Sequence, residues 1–139
     1  MYNTIKVYEG IDTERGEVMA FDQRLPIYTQ LETNLKKDMV SGRYELGEPL
    51  PSRRELAQQF KVNPNTVQRA LKNLTEEGLI TTIPQVGSSV TSDPTVLAKL
   101  KRSLMQEALT TFIDEMKTMQ FSDQEILTAL QAKLQDRKE

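Results

Sequence analysis

Two helix-start signals eleven residues apart constrain this chain more than any other feature. Ser52-Arg53-Arg54-Glu55 is a capping box, in which a Ser side chain and a Glu three residues later satisfy each other's backbone N–H groups. Asn63-Pro64 is an N-cap residue followed by a proline, whose missing N–H costs nothing in the first turn. Between them Leu56, Ala57 and Phe60 supply an apolar face for one short helix, and Lys61-Val62 is a tight break. After them Val67, Ala70, Leu71 and Leu74 form a second buried stripe, closed by Gly78. Two short helices joined by so brief a break read as a helix-turn-helix.

The flanks extend the pattern. Pro26 opens an earlier helix with Ile27, Leu31, Leu35 and Met39 at i+4 spacing, widened by Tyr28 and Val40 and ended by Gly42. Tyr44 to Pro49 reads as a turn-rich connector. Leu79 to Ile83 is a β-branched strand, Pro84-Gln85-Val86-Gly87 a turn, and Ser88 to Thr91 a return strand. The order helix, helix, recognition helix, hairpin is that of a winged helix. Asp93-Pro94 then repeats the cap-plus-proline signal for a long helix to about Met119, with Leu97, Leu100, Leu104, Ala108, Phe112 and Met116 on its stripe. Ser122 to Glu125 is a second capping box, before Ile126, Leu127, Leu130 and Leu134. The first 22 residues stand apart. Thr4 to Tyr8 and Glu17 to Phe21 alternate weakly around Gly10 and Gly16, which suits either a β-hairpin with a long loop or a flexible acidic extension. The expected fold is mainly α with a small β-wing: an N-terminal extension over 1–23, a winged helix-turn-helix over 24–92 and a C-terminal helical hairpin over 93–139.

The residues Pro26-Ile27-Tyr28-Thr29-Gln30-Leu31, Ser41-Gly42-Arg43-Tyr44 and Gly47 through Ala57 resemble the first half of a GntR-family transcription-factor domain. The likeness continues through Val62-Asn63-Pro64-Asn65-Thr66-Val67-Gln68-Arg69-Ala70-Leu71 and Leu74 to Ile80, about half the chain. It implies a bacterial regulator, expected to be a repressor, that binds a near-palindromic operator as a homodimer. The short tail resembles that of the YtrA subfamily, whose helical hairpin serves dimerisation. One departure concerns the wing. Its tip carries no basic side chain, where the family usually has one, so Gly87 and Ser88 are left to approach a phosphate through N–H and O–H groups.

Within such a domain the N-terminal end of the recognition helix enters the major groove. Here that end presents Asn63, Pro64, Asn65, Thr66, Gln68 and Arg69. Asn and Gln suit adenine edges and Arg suits guanine. For Asn63, simple capping competes with base contact; for Asn65, Gln68 and Arg69, a solvated helix face does. Arg53 and Arg54 sit at a helix N-terminus, where partial positive charge disfavours cations unless a phosphate or Glu55 answers them. The resemblance also implies a DNA role for Arg54. Lys36, Lys37, Lys61 and Lys72 are candidate outer phosphate contacts. The tail stripe (Leu97, Leu100, Leu104, Phe112, Met116, Ile126, Leu130, Leu134) is expected to meet a partner's equivalent helices, or else to fold back on its own winged helix.

Composition bounds the alternatives. Among 139 residues there is no Cys and no His, which excludes disulfides, thiolate or imidazole metal sites and His-dependent catalysis, so neither an enzyme nor a cofactor is expected. The remaining competitor is a winged helix used as a protein-docking module with weak, sequence-indifferent DNA binding. No run of apolar residues is long enough to span a bilayer and no signal peptide is visible, so a cytoplasmic location is expected. A small effector at the tail interface stays open. The net charge of −2 argues against DNA as a partner only until it is resolved by segment. Residues 1–23 carry −3, residues 53–72 carry +4, and the tail from Pro94 is balanced.

Overall fold

The computed structural model describes residues 7–12 and 17–138, with side chains described from Phe21 onward. Over the described residues the order is β1 (Val7–Asp12), β2 (Glu17–Asp22), α1 (Ile27–Ser41), α2 (Arg53–Phe60), α3 (Pro64–Glu76), β3 (Ile80–Ile83), β4 (Gly87–Val90), α4 (Pro94–Thr118) and α5 (Asp123–Asp136). The chain divides into two compact units after Leu100, within α4.

Each helix start rests on the local device that its sequence announces. Ser52 Oγ accepts from the Glu55 N–H, and the Glu55 carboxylate accepts from the Ser52 N–H, both at 3.1 Å. Asn63 Oδ1 accepts from the Asn65 N–H at 2.8 Å, with Pro64 in the first turn of α3. Asp93 Oδ1 accepts from the Thr95 N–H at 2.9 Å to start α4. Pro26 lies one position outside α1, as its N-cap, and Gly42 ends that helix at φ +88°. Lys61, in the break between α2 and α3, takes a left-handed conformation at φ 52°, which turns the chain sharply enough for α3 to pack across α2.

The core of the first unit is built from one stripe per helix. Leu31, Leu35 and Met39 of α1 are buried together with Leu56, Ala57 and Phe60 of α2 and Val67, Ala70, Leu71 and Leu74 of α3. Leu79, Ile80 and Val90 close it from the hairpin side. At roughly 1.5–3 kcal/mol per fully buried aliphatic or aromatic side chain, this stripe-on-stripe packing is the main stabilising term of the unit.

Two features differ from the sequence expectation. The connector after α1 is not only a turn. Pro49 bridges Ser89, the Leu50 N–H donates to the Ser88 carbonyl at 2.8 Å, and the Val90 N–H donates to the Glu48 carbonyl at 2.9 Å. The connector thus adds a short third edge to the β3–β4 hairpin. Gly47 makes this possible: its φ is +74°, and a Cβ there would lie 3.1 Å from Ser92 Oγ. The alternation before residue 22 resolves as a hairpin. β1 and β2 pair antiparallel from Val7↔Asp22 to Asp12↔Glu17, so the first strand continues past the expected Tyr8 to Asp12; Thr4, Ile5 and Lys6 of the expected strand lie outside the described residues. β1 packs against α2 and β2 against α1. Phe21 is buried with its ring centroid 6.4 Å from that of Phe60, and Gln30 of α1 exchanges hydrogen bonds with the Asp22 backbone at 2.8 and 2.6 Å.

Candidate nucleic-acid interface

The inward stripe of α3 leaves its opposite face outward. Asn65, Gln68, Arg69 and Lys72 are exposed on it, Asn63 and Pro64 are exposed at its start, and Thr66 is half-buried. The Asn63 side-chain oxygen is engaged as a cap, while no hydrogen bond among the described residues takes its amide N–H₂. Arg53 and Arg54 are exposed in the first turn of α2. The Glu55 carboxylate in the same turn is taken up by the capping box, and the Ser52 backbone N–H that it accepts from holds its pKa below the usual glutamate range. Glu55 therefore stays anionic at the helix N-terminus, where it offsets the two arginines.

Along the seam between α1 and α3 lies an arrangement that reading the helices one at a time does not anticipate. The Arg69 guanidinium stacks over the Tyr28 ring, 3.9 Å from its centroid. One turn on, Asn73 Nδ2 donates to Glu32 Oε2 at 3.2 Å. A further turn on, Lys36 Nζ pairs with Glu77 Oε1 at 3.2 Å. Tyr28, Glu32 and Lys36 are spaced by four on α1, as are Arg69 and Asn73 on α3 and Glu77 at its C-cap, so the three rungs form one ladder in parallel register. Lys36 is accordingly held by Glu77 rather than left for a phosphate. The signal was present as two i, i+4, i+8 series of complementary chemistry, but nothing local says that the two series meet.

The wing is tied to α3 by hydroxyls. Thr75 Oγ1 lies 3.2 Å from Thr82 Oγ1, which lies 2.9 Å from Ser88 Oγ. Ser88, expected at a phosphate, is thus half-buried and its hydroxyl is engaged within the protein. Gly87 is exposed at φ +132°. The tip between the strands is uncharged, with Val86 79% and Ile83 53% exposed.

The tail residues fall into two groups. Leu100, in the first unit, is buried, and Leu97 there is half-buried. In the second unit Ile126 is buried, Leu104, Phe112, Met116 and Leu130 are half-buried, and Leu134 is exposed. Met105, Leu109 and Ile113, which the expected stripe omitted, are exposed, as is Leu127, an expected apolar position of the last helix. Leu109, Phe112, Ile113, Ile126, Leu127 and Leu130 line an open groove of about 240 Å³, with Asp123 at its edge in an ion pair with Lys117. Among the described residues no group of His, Cys, Asp and Glu is placed to hold a metal ion, and no helix is long and apolar enough to cross a membrane.

A capped helix pair, a hairpin directly after the second helix and a flanking helix closing the core define a winged helix-turn-helix of the kind found in transcriptional regulators. A sequence model described as "Bacterial regulatory proteins, gntR family" matches residues 27–90. The HTH-type transcriptional repressor NagR of Bacillus subtilis (strain 168) is 40% identical over 67 residues, 48% of this chain and 28% of NagR. The HTH-type transcriptional repressor YtrA of the same organism is 40% identical over 68 residues, 49% of this chain and 52% of YtrA. The chain thus spans about half or less of the length of these curated relatives. A solved GntR family transcriptional regulator from Listeria monocytogenes is similar over 81% of this chain and 98% of its own, with 33% identity and a TM-score of 0.76. The chain belongs to the GntR family, and it carries that family's DNA-binding domain.

Proposed function

We propose that this chain represses transcription by binding a near-palindromic DNA operator as a homodimer in the bacterial cytoplasm. The observation that carries the reading is the outward face of α3, where Asn65, Gln68 and Arg69 are exposed on a helix that has no acidic residue of its own before Glu76. Asn and Gln pair with adenine edges and Arg with guanine, so this face offers the donors and acceptors that major-groove recognition uses. Asn63, Pro64 and Thr66 flank it, and Arg53 and Arg54 supply phosphate contacts that set register without reading sequence. In this reading Gly87 approaches the backbone through its N–H, and Ser88 serves chiefly to hold the wing. The exposed apolar rows of α4 and α5 supply the twofold interface. Two linked half-sites then bind more tightly than either alone.

The test is a gel-shift comparison of DNA upstream of the chain's own gene with a scrambled duplex of equal length, at a stated salt concentration. Selective retardation of the native duplex is expected, with protection of two half-sites in a footprint. Equal, weak binding to both duplexes would favour a second reading, a winged-helix docking module. The observation behind that reading is the wing tip, with Ile83 and Val86 exposed and no charged side chain from Thr81 to Thr91.

A further inference from the structure

We propose that Tyr28 is a positioning residue for sequence recognition: its ring holds the Arg69 guanidinium in the orientation in which Arg69 reads a guanine edge. The inference rests on the reading of α3 as the recognition helix and adds a residue of α1 to its specificity.

Arginine is a flexible side chain, and holding it in one geometry at an interface costs rotamer entropy. An exposed arginine on a recognition helix is therefore a poor reader unless something orders it beforehand. A ring stacked on the guanidinium face orders it without consuming what it needs for recognition. All five N–H donors lie in the guanidinium plane, so a ring above that plane leaves the donor fork free. The guanidinium carbon of Arg69 lies over the Tyr28 ring, 3.9 Å from its centroid, a separation that fits such a face contact, and among the described residues no acceptor takes the Arg69 donors. The buried stripes of α1 and α3 fix the two helices against each other, and the two rungs behind, Asn73 to Glu32 and Glu77 to Lys36, continue the same register. Tyr28 thus has a fixed address relative to Arg69, even though 41 residues separate them, as they separate the partners of both other rungs. Arg69 also lies on the same outward face as Asn65, one turn earlier, so an ordered guanidinium there addresses the groove that Asn65 addresses.

The probe is a set of duplexes selected by the full wild-type chain from a randomised DNA pool, with each position of the selected site then varied singly. Arg69→Ala is expected to abolish discrimination at one guanine per half-site. Tyr28→Leu is expected to relax discrimination at that same position and to weaken binding by about tenfold, while Tyr28→Phe, which keeps the ring, stays within about twofold of wild type. Arg69→Ala combined with Tyr28→Leu should bind no worse than Arg69→Ala alone, because the ring acts only through the arginine. Thermal melts of all variants accompany the binding data. A Tyr28→Leu variant that loses melting temperature and affinity for every duplex alike, with the base profile unchanged, would mean a packing role and overturn the proposal. So would a loss confined to the salt dependence, with a slope lower by about one, which would mark Arg69 as a phosphate contact. Asn65→Ala and Gln68→Ala separate the two levels of the argument. If they alter the base profile and Tyr28→Leu does not, only the tyrosine assignment falls. If neither alters it, the recognition-helix reading falls and takes the tyrosine with it.

Discussion

Helices α2 and α5 begin with the same device and end in different circumstances. Both open on a Ser-x-x-Glu capping box with both arms made. Yet α2 buries Leu56, Ala57 and Phe60 among its eight residues, whereas α5 buries only Ile126 among fourteen. The first unit therefore supplies partners for its apolar faces from within the chain. The second leaves Leu109, Ile113 and Leu127 exposed beside an apolar groove. A cap and a periodic stripe start a helix and choose its inward face; they do not say what that face will meet. An apolar face left open within one chain is what an interface between two copies requires.

The contrast sharpens into expected outcomes. Leu74 is fully buried and Leu127 is half exposed. Leu74→Ala should cost about 2–5 kcal/mol in chemical denaturation, while Leu127→Ala should leave the unfolding of the first unit unchanged. Equal effects would erase the distinction between the two regions. Leu109→Glu combined with Leu127→Glu should yield a folded monomer by sedimentation, with operator affinity down by roughly a hundredfold as the half-sites become unlinked. A variant that stays dimeric would move the interface elsewhere. Arg54→Ala should weaken operator binding by about 1–3 kcal/mol without shifting the melting temperature. Unchanged affinity would sever α2 from the DNA face.

The smallest effects concern the caps themselves. Ser52→Ala and Ser122→Ala should each cost about 1 kcal/mol of helix stability, read by denaturation and by hydrogen exchange of α5 respectively. The backbone N–H groups of Ser52 and Ser122 hold the Glu55 and Glu125 carboxyls below the usual glutamate range. A carboxyl with a depressed folded pKa contributes stability that is fully present above its unfolded value. That contribution is lost as pH falls through the folded value. Stability from these caps should thus hold from neutral pH to about 5 and decline below about 4. Glu55→Gln and Glu125→Gln should remove that part of the acid dependence. A flat acid limb in the wild type would contradict the hydrogen bonds seen here. With no His in the chain, operator affinity should vary little between pH 6 and 8.

Much of the fold was legible because its signals are short-range. Ser52 and Glu55, Asn63 and Asn65, Asp93 and Thr95, and Ser122 and Glu125 each act across two or three residues, so a reader of the sequence sees both partners at once. The stripes on α1, α2 and α3 were legible for a similar reason, since a 3.6-residue period declares which face turns inward. The outward residues of α3 followed as the complement of its stripe. The two halves of the N-terminal segment were harder, because Gly10 reads as part of a loop yet lies inside β1, and the strand alternation is weak there.

By itself, then, the sequence determined where helices start and stop, which faces are apolar, and that a hairpin follows the second helix of the pair. The tertiary structure alone decided three things. Gly47 to Leu50 joins the wing as an edge, through hydrogen bonds to residues near 90. Phe21 reaches Phe60 and so seats the first hairpin on α1 and α2. Tyr28, Glu32 and Lys36 meet Arg69, Asn73 and Glu77 across 41 residues. The physical reason is common to all three. Local hydrogen bonds and periodicity are properties of a few consecutive residues, whereas a contact between distant residues exists only after the helices have packed, and packing is set by every buried side chain at once.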